Sequence, residues 1–143
     1  MLAKSVMSDY DDCILFLLAK AYQQVIASFK GRLKEYGLTP VQNLVLSALR
    51  EEDGVSIGEI GRKLLLDPAT LAGTLDRMSA AGWLDKIPDA QDGRVVRVWQ
   101  TEKARQNSPE LSREIREINE KALRGLSLEE KLLLKRLLRD LKA

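Results

Sequence analysis

The side chains that most enzyme chemistry uses are scarce in this sequence, which contains one cysteine, Cys13, and no histidine. A Ser-His-Asp or Cys-His nucleophilic site therefore cannot be assembled within one chain. A zinc site would have only carboxylates and one thiol to draw on. We also find no glycine-rich phosphate loop and no paired-carboxylate motif. The sequence predicts no catalytic residue, no metal and no cofactor, and it argues against an enzyme.

One arginine stands where it could meet a nucleic acid. Asp92-Gly93 is a turn signal between two short runs that are predicted to be strands, over residues 83–87 and 95–100. Arg94 follows this turn, at the tip of the predicted hairpin. Arginine suits a narrow minor groove because the negative potential of DNA is concentrated there. The alternative is a hairpin without function that carries a solvated arginine.

A second group of candidates lies on the helix predicted over about 67–82, with Asp67 as its cap and Pro68 in its first turn. A helical wheel places Leu71, Leu75 and Met78 on one side, which we expect to be buried. The opposite side and its flanks would be open to a ligand. They carry Ala69, Thr70, Ala72, Gly73, Asp76 and Arg77.

Helices must position these residues, and their starts are marked by three capping boxes. The boxes are TPVQ over 39–42, SIGE over 56–59 and SLEE over 127–130. A longer helix is predicted from Ile14 to Leu33, where apolar residues recur at three- and four-residue steps. A further helix begins near residue 101. We expect the proline of its NSP segment, residues 107–109, to disfavour continuation.

The two short helices on either side of LLLDP, residues 64–68, predict a helix-turn-helix. We expect the three leucines of this segment to fill the space beneath the turn. A two-stranded hairpin directly after such a unit makes a winged helix. Two capped helices with a short turn also occur in all-α proteins that bind no DNA, so the hairpin carries much of this prediction.

Composition describes a soluble globular chain of 143 residues, with 45% apolar and 31% charged residues. The net charge of +2 does not by itself indicate a nucleic-acid partner. Residues 50–105 contain nine Lys/Arg and ten Asp/Glu. A prediction of DNA binding must therefore depend on geometry and motifs.

A single cysteine suits a reducing compartment. The first twelve residues lack an apolar segment of signal-peptide length. The longest apolar run, CILFLLA, has seven residues and is too short to cross a bilayer. We expect a cytoplasmic protein with no membrane partner.

Three stretches together resemble the MarR family of bacterial transcription regulators. They share that family's L-T-x-x-Q helix start, its L-D-x-x-T recognition helix, its G-[L/W]-[I/L/V] strand start and its D-x-R wing followed by a threonine. The long flanking helices match in order. The stretches are YGLTPVQNLVLSAL over 36–49, SIGEIGRKLLLDPATLAGTLDRMSAAGWLDK over 56–86 and DAQDGRVVRVWQTEKAR over 89–105.

The resemblance implies a fold and a set of partners. The fold is mainly α with a small β-hairpin wing, in a single domain of residues 1–143. A winged helix-turn-helix of about 38–100 would be flanked by dimerisation helices of about 9–36 and 101–143. The implied partners are a second copy of the chain and double-stranded DNA with a palindromic operator. A repressor that responds to a small aromatic or phenolic effector is the function that the resemblance favours.

The resemblance also implies roles for six residues in DNA binding. In the wing, over 88–95, Arg94 would contact DNA and Asp92 would brace the turn. In the recognition helix, Arg77 would reach a phosphate or brace the wing. The positions that touch bases or phosphates are occupied by Thr70, Ala72 and Gly73.

Several positions depart from the family pattern. Gly73 stands where many relatives carry a large and often basic side chain, and Gly93 stands where the wing often has a second arginine. Gln100 and Ala104 replace a common leucine and glycine, and Pro109 is expected to bend the following helix. Sparse hydrogen bonding to bases is therefore expected, with methyl contacts, phosphates and DNA shape carrying more of the recognition.

Cys13 raises the question of redox sensing, because peroxide-sensing relatives carry a cysteine in the first helix. Here the cysteine is displaced from that place, and Pro40 occupies a position where those sensors usually have tyrosine. Asp11 and Asp12 do not favour a reactive thiolate beside them. We therefore interpret Cys13 as a structural residue.

One alternative function stays open from sequence. The chain could be a winged-helix protein-interaction module that has lost DNA binding. The near-neutral middle segment and Gly73 favour this alternative, whereas the Asp92-Gly93-Arg94 wing disfavours it.

Overall fold

The computed structural model describes residues 9–141, so residues 1–8 and 142–143 of the predicted domain lie outside the described residues. The described chain is mainly helical and has one small sheet, which confirms the predicted fold class. Leu33 is followed by a short 3₁₀ turn, Lys34–Tyr36. The elements are α1 (Ile14–Leu33), α2 (Pro40–Glu51), β1 (Val55–Ser56), α3 (Ile57–Leu64), α4 (Pro68–Ala80), β2 (Leu84–Pro88), β3 (Val96–Gln100), α5 (Glu102–Ala122) and α6 (Leu128–Asp140).

All three predicted capping boxes are present at helix starts. In each box the Ser or Thr hydroxyl accepts from the backbone N–H three residues later, and that residue's side chain accepts from the capping residue's N–H. At α2, for example, Thr39 Oγ1 accepts from Gln42 N at 3.2 Å and Gln42 Oε1 accepts from Thr39 N at 3.0 Å. These local bonds explain why the starts of α2, α3 and α6 follow directly from the sequence.

The sheet has three antiparallel strands in the order β1-β3-β2, so the prediction of a two-stranded hairpin was wrong in one respect. The added strand, β1, pairs Val55 with Val98 and Ser56 with Arg97. A two-residue strand has no alternating pattern, and Ser56 also caps α3. The two predicted strands are present and each begins one residue later than expected.

Helix α5 runs without interruption through Pro109, in contrast to the predicted break. Proline lacks the N–H that would bond to the carbonyl four residues earlier. Ala104, Leu111 and Ile118 are buried along α5. This packing holds both halves of the helix against the rest of the chain and outweighs one missing hydrogen bond.

The core lies between α2, α3, α4 and the sheet, with Leu33 contributed by α1 and with Ala104 and Leu111 contributed by α5. The predicted inward residues of α4, Leu71, Leu75 and Met78, are all buried. Ile60 of α3 is also buried, while Ile57 and Leu64 pack against the core at its margin. The other members at 0–1% exposure are Leu33, Val45, Leu46, Leu49, Val55, Leu84, Val98 and Leu111.

The two ends of the described chain expose apolar side chains. Helix α6 buries none of its residues, and α1 buries only Leu33. The leucine-rich end is thus not covered by the chain's own first helix. Within residues 9–141, no helix combines the length and the apolar character that a bilayer crossing requires. The exposed residues of the two helices include Ile14, Leu15, Leu17, Leu128, Leu132, Leu133, Leu137 and Leu138.

Candidate nucleic-acid interface

The turn between α3 and α4 differs from its prediction at Leu65. Leu64 and Leu66 pack against the core as expected, but Leu65 is 91% exposed. Its backbone is left-handed, with φ 54° and ψ 43°, and its N–H donates to Gly61 O. This conformation ends α3 sharply and turns the Leu65 side chain towards solvent. Two leucines, not three, lie beneath the turn.

The first turn of α4 is fixed by Asp67 and Thr70. Asp67 Oδ1 accepts from Thr70 N at 2.9 Å, and Asp67 Oδ2 accepts from the Thr70 hydroxyl at 2.6 Å. These two bonds from Thr70 lower the pKa of Asp67. The Thr70 hydroxyl proton is therefore engaged, although the residue as a whole is exposed on α4. The side chain presents an apolar surface and an acceptor in one fixed rotamer.

The outward side of α4 carries only small residues along its middle, Ala72 and Gly73. Thr70, Ala72 and Arg77 are exposed, and Gly73 is half-buried. Arg77 covers Gly73, because a Cβ built on this glycine would lie 3.3 Å from Arg77 Nη1. The guanidinium thus folds back over the position that Gly73 leaves empty. Arg77 places a cation on this side of the helix where the sequence supplies no large residue at position 73.

Sequence reasoning missed an ion pair on the same side. Lys86 Nζ of β2 bonds to Asp76 Oδ1 of α4. Both residues were visible as charged positions, and Asp76 was assigned to the outward side of the helix. Their pairing depends on how β2 packs beside α4, and no local pattern reports that. The bridge connects the predicted recognition helix to the first strand of the wing.

The wing tip is a tight turn over Asp92 to Val95, closed by a bond from Val95 N to Asp92 O at 3.0 Å. Asp92 Oδ1 accepts from Arg94 N at 3.1 Å and from Arg94 Nε at 3.1 Å, and Oδ2 accepts from Arg94 Nη2 at 3.3 Å. These bonds from Arg94 lower the pKa of Asp92. The Arg94 side chain is nevertheless 92% exposed. The turn therefore holds a guanidinium in a set direction and leaves its outer side open.

The base of the wing contains a second carboxylate that sequence reasoning missed. Asp89 Oδ1 accepts from the N–H groups of Gln91 at 2.8 Å and Asp92 at 3.1 Å, and Asp89 Oδ2 accepts from Arg97 Nε. The bond from Arg97, followed by the two backbone bonds, lowers the pKa of Asp89 to about 2. Arg97 Nη1 also donates to Gly54 O at 2.9 Å. Arg97 thereby ties the wing to the turn before β1.

The geometry brings the predicted residues to two neighbouring places. Thr70, Ala72, Gly73 and Arg77 share the outward side of α4, while Asp92 and Arg94 form the wing tip. The Lys86–Asp76 bridge joins the two elements. The arrangement offers cations, a hydroxyl and methyl groups on two exposed surfaces.

The sequence profile described as "MarR family" matches residues 36–95, which run from the end of α1 to the wing turn. Among characterised relatives, the chain is similar to "HTH-type transcriptional regulator TtmR" of Methylorubrum extorquens (strain PA1), with 36% identity over 110 residues. The match covers 71% of this chain and 56% of that protein, so only about half of the relative's length is represented.

Two solved structures match over nearly the whole described chain. A probable transcriptional regulator from Pseudomonas aeruginosa is 34% identical, with a TM-score of 0.85, and the match covers 90% of this chain and 96% of that one. BpsR of Bordetella bronchiseptica is 28% identical, with a TM-score of 0.87 and coverage of 94% and 99%. That structure concerns the regulation of BpsR DNA binding by 6-hydroxynicotinic acid.

Proposed function

This chain belongs to the MarR family of transcription regulators, and from that premise we propose that it binds double-stranded DNA as a homodimer whose affinity depends on a small effector. The observation that carries the proposal is the exposed guanidinium of Arg94, held at the tip of a wing beside an open helix face. We propose repression as the sign of regulation. A dimer seated on promoter DNA blocks access without needing a further contact to polymerase.

Helix α4 is the proposed recognition helix, within the range of about 67–82 expected from sequence. Its N-terminal half would enter the major groove, where the positive end of the helix also favours a nearby phosphate. The wing, over 88–95, would lie beside the minor groove, with Arg94 directed into it. The bonds that Arg94 donates to Asp92 support this role, because they order the arginine before DNA arrives.

The chemistry of α4 predicts a particular kind of recognition. The methyl groups of Thr70 and Ala72 suit contact with thymine methyl groups. Gly73 offers no side chain, and Arg77 lies folded over it. Few bidentate hydrogen bonds to bases are therefore expected. Phosphate contacts and the shape of the DNA would supply much of the preference among operators.

Dimerisation is proposed for the apolar surfaces of α1 and α6. Five leucines of α6 and four large apolar residues at the start of α1, over residues 14–17, are exposed in the single chain. Contiguous apolar surface of this kind is typical of an interface. A two-fold dimer would present two winged helices to the two halves of a palindromic operator.

The proposed effector is a small aromatic or phenolic molecule. This proposal is supported by the similarity to BpsR, whose DNA binding is regulated by 6-hydroxynicotinic acid.

The protein would also be cytoplasmic, in keeping with its single cysteine. Cys13 is exposed, and we assign it no redox role.

The decisive experiment is a selection of bound fragments from the source genome, followed by titration of the enriched fragment and a random duplex over a series of salt concentrations. We expect preferential binding of the enriched fragment and a negative slope of log affinity against log salt. Binding of neither DNA at low salt would overturn the proposal.

The second candidate is a winged-helix module that binds a protein. The near balance of nine basic and ten acidic residues over 50–105 favours it. It becomes the leading candidate if the titration shows no binding to either DNA.

A further inference from the structure

The C-terminal end of the proposed recognition helix is attached to the start of α5 by two side chains, that of Thr101, which caps α5, and that of Lys103 within α5. After α4, the chain turns through Gly82, whose φ is 79°, and Trp83 N donates to Met78 O at 2.9 Å. This turn leaves two carbonyls near the negative end of the helix dipole, those of Ala81 and Gly82. Both carbonyls accept hydrogen bonds from side chains at the start of α5. Lys103 Nζ donates to Ala81 O at 2.8 Å, and Thr101 Oγ1 donates to Gly82 O at 2.6 Å.

Lys103 makes a second contact in the same place. Its ammonium group lies 4.4 Å from the ring centroid of Trp83, which is only 3% exposed. A cation over an indole face is attracted by the ring's electrons. One side chain of α5 thus holds both the carbonyl of Ala81, the residue that caps the end of α4, and the ring of Trp83, two residues farther on.

Lys103 lies at the N-terminal end of its own helix, where a cation is not expected. Lys103 is the second residue of α5, where the positive end of the α5 dipole disfavours a cation. The same ammonium lies at the C-terminal end of α4, where a cation is favoured. The helix dipoles therefore make the position of the Lys103 ammonium favourable with respect to α4 and unfavourable with respect to α5.

Arg105, two residues after Lys103 in the first turn of α5, pairs with a different part of the chain. Arg105 Nη2 pairs with Asp53 Oδ2 at 3.1 Å, and Asp53 lies between α2 and β1. Farther along α5, Glu114 and Glu117 pair with Arg32 of α1 at 2.8 and 3.1 Å. Helix α5 thus runs from the end of the recognition helix to the helix proposed for dimerisation.

We propose that Lys103 is a positioning residue for the recognition helix, which fixes the C-terminal end of α4 to α5 and thereby sets how the N-terminal half of α4 meets DNA. The proposal rests on the proposed DNA-binding function. Helix α4 has 13 residues and rises about 1.5 Å per residue, so a tilt of about 5° about one end moves the other by about 2 Å. Such a shift exceeds the tolerance of a hydrogen bond to a base or phosphate.

Three variants test the proposal on the fragment enriched from the genome. Lys103→Met keeps the stem and removes the ammonium, Lys103→Arg keeps a cation that can donate to Ala81 O, and Arg105→Met is the matched control. We expect Lys103→Met to bind about 5- to 10-fold more weakly, a loss in the range of one ordinary hydrogen bond. Lys103→Arg and Arg105→Met should stay within about twofold of the parent, since Arg105 does not contact α4 in the described contacts.

The salt dependence separates positioning from direct contact. Replacing a residue that only orients α4 leaves the slope of log affinity against log salt unchanged. Removing a phosphate contact instead makes this slope shallower by about one ion per site. Parental affinity of Lys103→Met, or a shallower slope, would overturn the proposal. So would an equal loss in Arg105→Met.

Fluorescence tests the attachment independently of DNA. The sequence has two tryptophans, so Trp99→Phe leaves Trp83 as the single emitter. In this background Lys103→Met should change the Trp83 emission and speed amide exchange at Ala81 to Trp83, while Lys103→Arg restores both. If the parent binds no DNA but these changes occur, the function fails and the attachment stands. If neither signal changes, the attachment itself is wrong.

Discussion

The guanidinium of Arg94 is ordered by Asp92 while 92% of the side chain faces solvent. An ordered charge loses less conformational entropy when it binds. The Arg94 side chain is thus already preorganised in the free protein. In the proposed complex, Asp92 and DNA would share the guanidinium, since Asp92 accepts from its Nε and Nη2 atoms and leaves the other edge open.

Arg94→Ala should weaken DNA binding by about 1–3 kcal/mol per contact and make the salt slope shallower. Thermal stability should hardly change, because the side chain contributes nothing to the core. Thr70→Ala, on α4, should instead change the preference among operator sequences more than the overall affinity. Titration of both variants on one fragment at several salt concentrations checks this. An Arg94→Ala protein with parental affinity and slope would contradict the role of the wing.

Asp89 makes the stability of the wing depend on pH. Its pKa is depressed from the ordinary value of 3.8 to about 2 by Arg97 and two backbone N–H groups. A depressed pKa means that the carboxylate stabilises the fold above about pH 4 and loses that effect as the pH falls towards 2. Asp89→Asn should therefore melt below the parent at pH 7, and the difference should shrink between about pH 4 and pH 2. Melting curves across this range that run parallel would exclude the proposed ion pair as the cause.

At the scale of elements, the turn before β1 must remain narrow because β3 crosses it. Gly54 has a φ of 76°, its N–H donates to Val98 O at 2.9 Å, and a Cβ added to it would lie 2.4 Å from the Trp99 ring. No side chain fits there without moving the indole or the strand.

Gly54→Ala should lower the free energy of unfolding by about 2–4 kcal/mol, from backbone strain and overpacking together. Gly93→Ala is the matched control, since a Cβ at this wing glycine meets nothing within 4 Å. Chemical denaturation of both variants gives the comparison. A Gly54→Ala protein as stable as the Gly93→Ala protein would show that the turn can open at little cost.

What the sequence predicts well at this scale is what neighbouring residues determine. The capping boxes at Thr39, Ser56 and Ser127 use partners three residues away, and all three mark helix starts correctly. The left-handed Leu65 is different, because its conformation follows from the packing of α3 against α4 and leucine gives no signal of it. The unbroken α5 is also a result of tertiary contacts, which override the tendency of Pro109 to end a helix.

The candidate site follows the same division. Arg94 and Asp92 lie two residues apart and were found from the turn motif, and the outward residues of α4 were found from helical spacing. The Lys86–Asp76 and Lys103–Ala81 contacts join residues 10 and 22 positions apart. Such pairs depend on how elements are arranged, and a single sequence without related sequences contains no measure of that arrangement.

At the level of the whole molecule, the exposed leucines of α6 form the surface that we propose is buried in the dimer. Leu133 is 47% and Leu137 is 49% exposed, and they lie one turn apart on the helix. Burying a leucine stabilises an interface by about 1.5–3 kcal/mol. A chain of 16.1 kDa with several such residues on one helix is expected to associate.

The Leu133→Glu/Leu137→Glu double variant should be monomeric and should bind a palindromic fragment far more weakly, whereas Lys135→Glu on the same helix should remain dimeric. Light scattering should give twice 16.1 kDa for the parent and the control, and 16.1 kDa for the double variant. A parent that scatters as a stable monomer at micromolar concentration would remove the dimer from the proposed function.

The strand order β1-β3-β2 leaves β1 and β2 at the borders of the sheet. Unpaired strand borders recruit other strands and so promote aggregation. β1 has two residues, which is too short to nucleate pairing, and β2 carries Asp85 and Lys86 and ends at Pro88, which has no N–H to offer. The strand edges of the wing are therefore poor templates for pairing with another chain. Copies bound close together on DNA should not aggregate through their sheets.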